Sequence, residues 1–254
     1  MPDQLAHFLF ARRVVEAADA CVRRRVNMDS PAFRIGTFGP DPLFNDPSPR
    51  RRAEGVQMHR GSGREALERM RAPVKSGMPW AADYAAGFFC HYALDRLCHP
   101  YIKAGAAEGD FRHVALETAY DRELRNRGMD DMPRRLPLPY GALHAAACMY
   151  HHVTPGRLKT DIEIFWHIRR FLVLGEGTII AHLPGKFMPK LDGLVPYREN
   201  SAGILRGIAR LDEIIDSGIG EAADQLGRYL CAIDQNLTLD AWTDTDFSGF
   251  KTQL

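Results

Sequence analysis

The sequence predicts an all-α protein folded as a multi-helix bundle. Apolar residues recur three and four apart in segment after segment, the period of a helix with one buried face. No stretch shows the alternation of a strand, and there is no internal repeat or low-complexity tract. Gly- and Pro-rich stretches punctuate the periodic segments where turns are needed.

The elements follow in order. QLAHFLFARRVVEAADACVRRRV (4–26) sets arginines opposite an apolar stripe and reads as the first helix. Residues 36–52 hold Pro40, Pro42, Pro47 and Pro49 and read as a loop. A short helix is expected over 63–74. Pro79 suits the first turn of a helix over 79–99, which Pro100 should stop. Asp110 can cap the next, 111–127. Helices over 140–152 and 156–174 follow, the second entered through Thr154 and Pro155. A loop over 183–199 precedes two last helices near 200–216 and 219–236. One domain over residues 1–254 is expected, long enough to bury a sizeable core.

Composition narrows the function classes. Lys and Arg number 33 and Asp and Glu 32, so a net charge of +1 gives no global pull toward nucleic acid or anionic membrane. No apolar run is long enough to span a bilayer. The N-terminus lacks a basic start followed by a long apolar run, so no signal peptide and a cytoplasmic location are expected. The five cysteines form no C-x-x-C pair, which argues against a disulfide framework or a thiolate zinc knot.

The chemistry concentrates in CHYALDRLCHP (90–100). On a helix, His91, Asp95 and His99 form one slanted row, each about 40° and one turn from the last. Imidazole and carboxylate inside an otherwise apolar segment must find partners, and a divalent metal accepts both. HVALE repeats the device with His113 and Glu117. One His-x3-acid pair is an ordinary helix-surface contact. Two on successive helices, with His99 between them, make a metal site the better reading. Upstream lie His7 in an apolar helix face, Asp41 in the Pro-stiffened GPDP, and His59 in VQMHRG. By default these would be a core histidine, a turn aspartate and a surface histidine.

The order His7, Asp41, His59, His91-x3-Asp95, His99, His113-x3-Glu117 resembles the zinc-dependent phospholipase C family, which shares its helical three-zinc fold with fungal single-strand nucleases. The resemblance covers roughly residues 1–120. It implies one zinc on Asp41, His59, His91 and Asp95, and a second on His99, His113 and Glu117. A third would use His7 and a bridging Asp95. It also implies that Asp41 orients or deprotonates the attacking water, and that the substrate is a phosphoester or phospholipid. Glutamate at 117 looks like the phospholipase branch, since the nucleases tend to have aspartate there. The secreted phospholipases complete the third site with an N-terminal tryptophan. This chain begins Met-Pro, so that site is expected to be weaker, with the Pro2 amine as the candidate replacement. Two zinc ions are therefore expected and a third is possible.

Two rival readings remain at the level of sequence. One is a nuclease or nucleotide phosphodiesterase on the same fold. Near-neutral charge and the lack of aromatic–basic interleaving weaken it, so no stable nucleic acid complex is expected. The other is a metal-binding helical protein without turnover, against which the completeness of the ligand set argues. The Arg50–Arg52 run could meet substrate phosphate but reads more simply as solvated charge.

Overall fold

The computed structural model describes residues 4–129, 136–174 and 200–251. Its helices are α1 (Gln4–Ala17), α2 (Ala20–Arg25), α3 (Pro31–Gly36), α4 (Pro49–Arg60), α5 (Gly63–Glu68) and α6 (Arg71–Lys75). They continue with α7 (Ala81–Glu108), α8 (His113–Asn126), α9 (Tyr140–Ala147), α10 (Pro155–Leu174) and α11 (Ala202–Gln235). Two 3-10 turns, Asp41–Asn45 and Ala241–Asp244, complete the order. The fold is all-α: the described residues hold no strand, only an isolated bridge between Thr245 and Lys251.

The long helix α7 is the axis of the fold. Ala85, Ala86, Phe88, Phe89, Tyr92, Ala93 and Leu94 are all buried, and a helix that is apolar on every side belongs inside a protein. It packs against α1, α3, α8, α9 and α11. On the outside, α11 lays one stripe inward: Ile204, Ile208, Leu211, Ile215, Ala222, Leu226, Tyr229 and Ile233. The start of α1 is fastened to α8 by Asp121, whose carboxylate accepts from Leu5 N (3.2 Å) and Ala6 N (2.9 Å). Those amides have no partner within their own helix, so a carboxylate from a neighbour serves as the cap.

Several sequence-based boundaries are corrected. The helix expected over 4–26 is broken, because Asp19 caps a new helix through Cys21 N (2.8 Å) and Val22 N (2.9 Å). The loop expected over 36–52 is partly helical, for Pro49 occupies the first turn of α4 rather than ending a helix. The helix over 63–74 is two short ones, α5 and α6. Pro100 does not stop α7, which runs on to Glu108 and ends at Gly109 (φ 84°). Pro100 offers no amide to the Arg96 carbonyl, yet the helix continues through it among buried neighbours Cys98, His99 and Ile102. Asp110 does not cap α8, whose N-cap is Arg112. The helix over 140–152 stops at Ala147. The two last helices are one, since Gly218 inside α11 is where Leu97 of α7 packs: a Cβ there would lie 2.6 Å from Leu97 Cδ1. The loop over 183–199 lies outside the described residues.

Candidate metal centre

All eight residues singled out by sequence meet in one cluster. His7 comes from α1, Asp41 opens the first 3-10 turn, and His59 sits at the end of α4. His91, Asp95 and His99 descend one face of α7, and His113 and Glu117 occupy the first two turns of α8. Asp95 is at the centre. Its Oδ2 faces His91 Nε2 (3.4 Å) and His59 Nε2 (3.7 Å). Its Oδ1 faces His7 Nε2 (3.4 Å) and His99 Nε2 (3.8 Å). Asp41 Oδ1 lies 3.0 Å from His59 Nε2 and 4.0 Å from His91 Nε2. At the other end, Glu117 Oε1 lies 2.9 Å from His113 Nε2 and 3.5 Å from His99 Nε2.

Three of the histidines are oriented from behind by main-chain carbonyls. His91 Nδ1 donates to Thr37 O (3.1 Å), His59 Nδ1 to Gly55 O (3.0 Å) and His99 Nδ1 to Phe247 O (3.0 Å). A carbonyl only accepts, so each Nδ1 carries the hydrogen and each Nε2 lone pair points into the cluster. That is the second-shell arrangement that fixes a ligating imidazole. Gly39 lets the chain after α3 come this close: it has a φ of 55°, and a Cβ there would lie 2.2 Å from the His91 ring.

The interior of the cluster is polar and buried. Asp41 Oδ1, both Asp95 oxygens, and Nε2 of His7, His59, His91 and His99 are buried without a hydrogen-bond partner. Each such atom costs free energy unless a cation or donor serves it. Burial, with neighbouring His7 acting the same way, pushes the His91 pKa down to about 3, so its Nε2 is unprotonated at neutral pH. Burial alone would raise the Asp95 pKa. Its neighbours His99, His91 and His7 overcome it and hold the group well below the carboxylate range. Glu117 is likewise lowered against burial, with the neighbouring imidazoles of His113 and His99 among the causes. An all-nitrogen-and-oxygen set of imidazoles and ionised carboxylates suits a divalent transition metal, zinc among them. The orphaned atoms therefore fit a zinc centre.

Three groups bring their ligand atoms within 4.8 Å of one another: His7–His91–Asp95, Asp41–His59–His91 and His99–His113–Glu117. His91 thus stands beside the His7 pair as well as the Asp41 set, and its ring stacks on His7 at 4.1 Å. Cys90 and Cys98 belong to none of the groups, and burial raises both thiols. Arg51 and Arg52 fold onto Asp46, with Arg51 Nε 2.6 Å from its carboxylate and Arg52 Nε 3.2 Å from its carbonyl. They brace the Asp41 turn through these contacts. The rings of His151 and His152 are exposed while their amides bind Glu54. His182 and the amino terminus lie outside the described residues.

Sequence reasoning missed the outer shell. A backbone carbonyl has no signature, so Thr37, Gly55 and Phe247 gave no sign of their part. Asp121 did leave one: it continues the His113-x3-Glu117 spacing by a further turn of α8.

A sequence model of the zinc-dependent phospholipase C family matches residues 6–167, well over half of the chain, and spans all eight residues. No curated protein and no solved structure matches the chain. No described helix is long and apolar enough to cross a membrane.

Proposed function

The chain belongs to the zinc-dependent phospholipase C family, and from that premise we propose that it hydrolyses a phosphodiester, with phospholipid as the substrate class, at a zinc centre. Asp41, His59, His91 and Asp95 would hold one ion and His99, His113 and Glu117 a second. His7 and Asp95, with His91 alongside, would hold a third. The observation that carries the reading is the ring of inward Nε2 and carboxylate atoms, buried and without hydrogen-bond partners, around Asp95. Bound zinc supplies positive charge that neutralises a phosphoester and brings the pKa of water toward neutrality.

The chain's own groups do the rest. Asp41 accepts the proton of the attacking water at Oδ1 as general base, held by a turn that Pro40 and Pro42 stiffen. Phosphate approaches from the side of His59 and His113, whose side chains are 15% and 32% exposed while the other six are nearly sealed. No serine or cysteine nucleophile takes part. Glu117, typical of the phospholipase branch, favours lipid over nucleic acid, and residues 1–254 act as one domain.

The test is hydrolysis of an aryl phosphodiester, phosphatidylcholine vesicles and single-stranded DNA side by side, with and without chelator. Chelator-sensitive turnover of the first two supports the proposal. Cleavage of DNA alone would favour the nuclease reading, and no turnover by zinc-loaded protein would favour a metal-binding protein without catalysis.

A further inference from the structure

The family match ends at residue 167, yet a segment far beyond it reaches the centre. After the 3-10 turn Ala241–Asp244, the chain lies across the end of α4, the start of α5 and the middle of α7. Ser62 Oγ donates to Thr243 O (3.2 Å) and Gly63 N to Thr245 O (2.9 Å). Tyr92 of α7 meets Thr245 Oγ1 through its hydroxyl (2.8 Å). Asp246 then closes a turn on itself. Its Oδ1 accepts from Ser248 N (2.8 Å) and Phe250 N (3.0 Å), and its amide donates to Phe250 O (2.8 Å). Gly249, at a φ of 77°, lets this turn sit on α7. A Cβ there would lie 2.8 Å from Arg96 O, the carbonyl that Pro100 cannot serve, and 3.0 Å from Pro100 Cγ.

The turn presents Phe247, which is buried. Its amide donates to His59 O (3.2 Å), and its carbonyl accepts from His99 Nδ1 (3.0 Å). Its ring meets those of His59 (4.9 Å), Tyr92 (5.0 Å) and His91 (6.0 Å). One residue therefore touches a histidine of the Asp41 group and a histidine of the Glu117 group at once.

We infer that Phe247 is a positioning residue of the metal centre. Its main chain orients the His99 ring and holds the end of α4, while its ring closes the apolar side of His59 and His91. The inference rests on the zinc centre proposed above. It makes the C-terminal turn, outside the matched region, a working part of that centre. A packing role alone would not place a backbone acceptor on His99 Nδ1.

The experiment compares the full chain with Phe247→Ala, Phe247→Leu, Gly249→Ala and, as control, Phe250→Ala, whose ring is exposed. Zinc affinity is read by chelator competition and the melting temperature of the metal-free protein separately. Phe247→Ala keeps the carbonyl but removes the ring that seats it, and Gly249→Ala crowds the turn against Arg96 O. Both are expected to shift that carbonyl off His99 and weaken zinc by about 10- to 100-fold, as loss of an outer-shell partner does. Phe247→Leu should recover most of the affinity, and Phe250→Ala should match wild type. Unchanged affinity in both weakened variants, with only a lower melting temperature, overturns the inference and leaves the zinc reading intact. If Phe247→Ala does not fold, Gly249→Ala decides by the same criterion. Wild-type protein that binds no zinc overturns the underlying reading and this inference together.

Discussion

Asp41, His59 and His91 reach their places from three separate elements, whereas His99, His113 and Glu117 come from neighbouring turns of α7 and α8. The first group is assembled by tertiary packing: α10 and α4 press on the Asp41 turn, and main-chain carbonyls at Thr37 and Gly55 aim both rings. The second is assembled by local helical spacing, with one outside restraint at Phe247 and an open flank at His113. Distant contacts resist local fraying, while a site at a helix start shares the mobility of that end. The Asp41 group should therefore hold metal more stubbornly than the Glu117 group, with Asp95 joining the Asp41 group to His7.

The largest expected effect comes from removing that joint. Asp95→Ala should lose the metal of the Asp41 group and of His7 together, leaving zinc only at the Glu117 group; metal analysis after desalting checks it. Retention of the wild-type zinc content would show that Asp95 joins nothing. Next is Asp41→Asn, expected to cut phosphodiester hydrolysis by about 10²–10⁴-fold with zinc content near wild type, because the amide keeps an oxygen but cannot take a proton. Full activity would remove Asp41 from the mechanism. His113→Ala should empty the Glu117 group alone, and graded chelation of wild-type protein should strip that group first. Release of all zinc in one step would erase the contrast between the two groups.

The same contrast explains what the sequence could reveal. His91, Asp95 and His99, like His113 and Glu117, were legible because a helix turns spacing directly into proximity. His59 was not placed on a helix, since the prolines before it suggested a loop and Pro49 in fact starts α4. Pro100 was read as a stop and residues 200–236 as two helices because sequence rules weigh the local cost, whereas packing on α7 and α11 decides. The carbonyls behind His59, His91 and His99 carry no side-chain information at all. Their roles exist only once the chain has folded.

Smaller effects test the supports. Asp121→Ala should lower stability by about 1–2 kcal/mol, the usual loss of a helix cap, and loosen His7 through α1. Denaturant titration of the metal-free protein measures it, and no change would mean that water caps α1 as well. The Asp41 turn is braced by Asp46, Arg157 and Asp161. Burial raises the Asp161 pKa to about 6, against the pull of Arg157. A group raised above its unfolded value adds stability that is complete below the unfolded pKa and lost as pH rises through the folded one. Stability should therefore decline across the interval from about pH 4 to 6, and Asp161→Asn should flatten that slope. Burial acts the same way on Asp46, but Arg51 and the Ser48 amide prevail and hold it at about 2, so its contribution is lost only as pH falls toward that value.

Zinc X-ray absorption on the zinc-loaded full chain, with metal stoichiometry from the same sample, tests the central claim most directly. A cluster of imidazoles and carboxylates around Asp95 predicts at least two zinc ions per chain and a first shell of nitrogen and oxygen only, with clear imidazole scattering. A sulfur shell, or less than one zinc per chain with none regained on adding zinc, would contradict it.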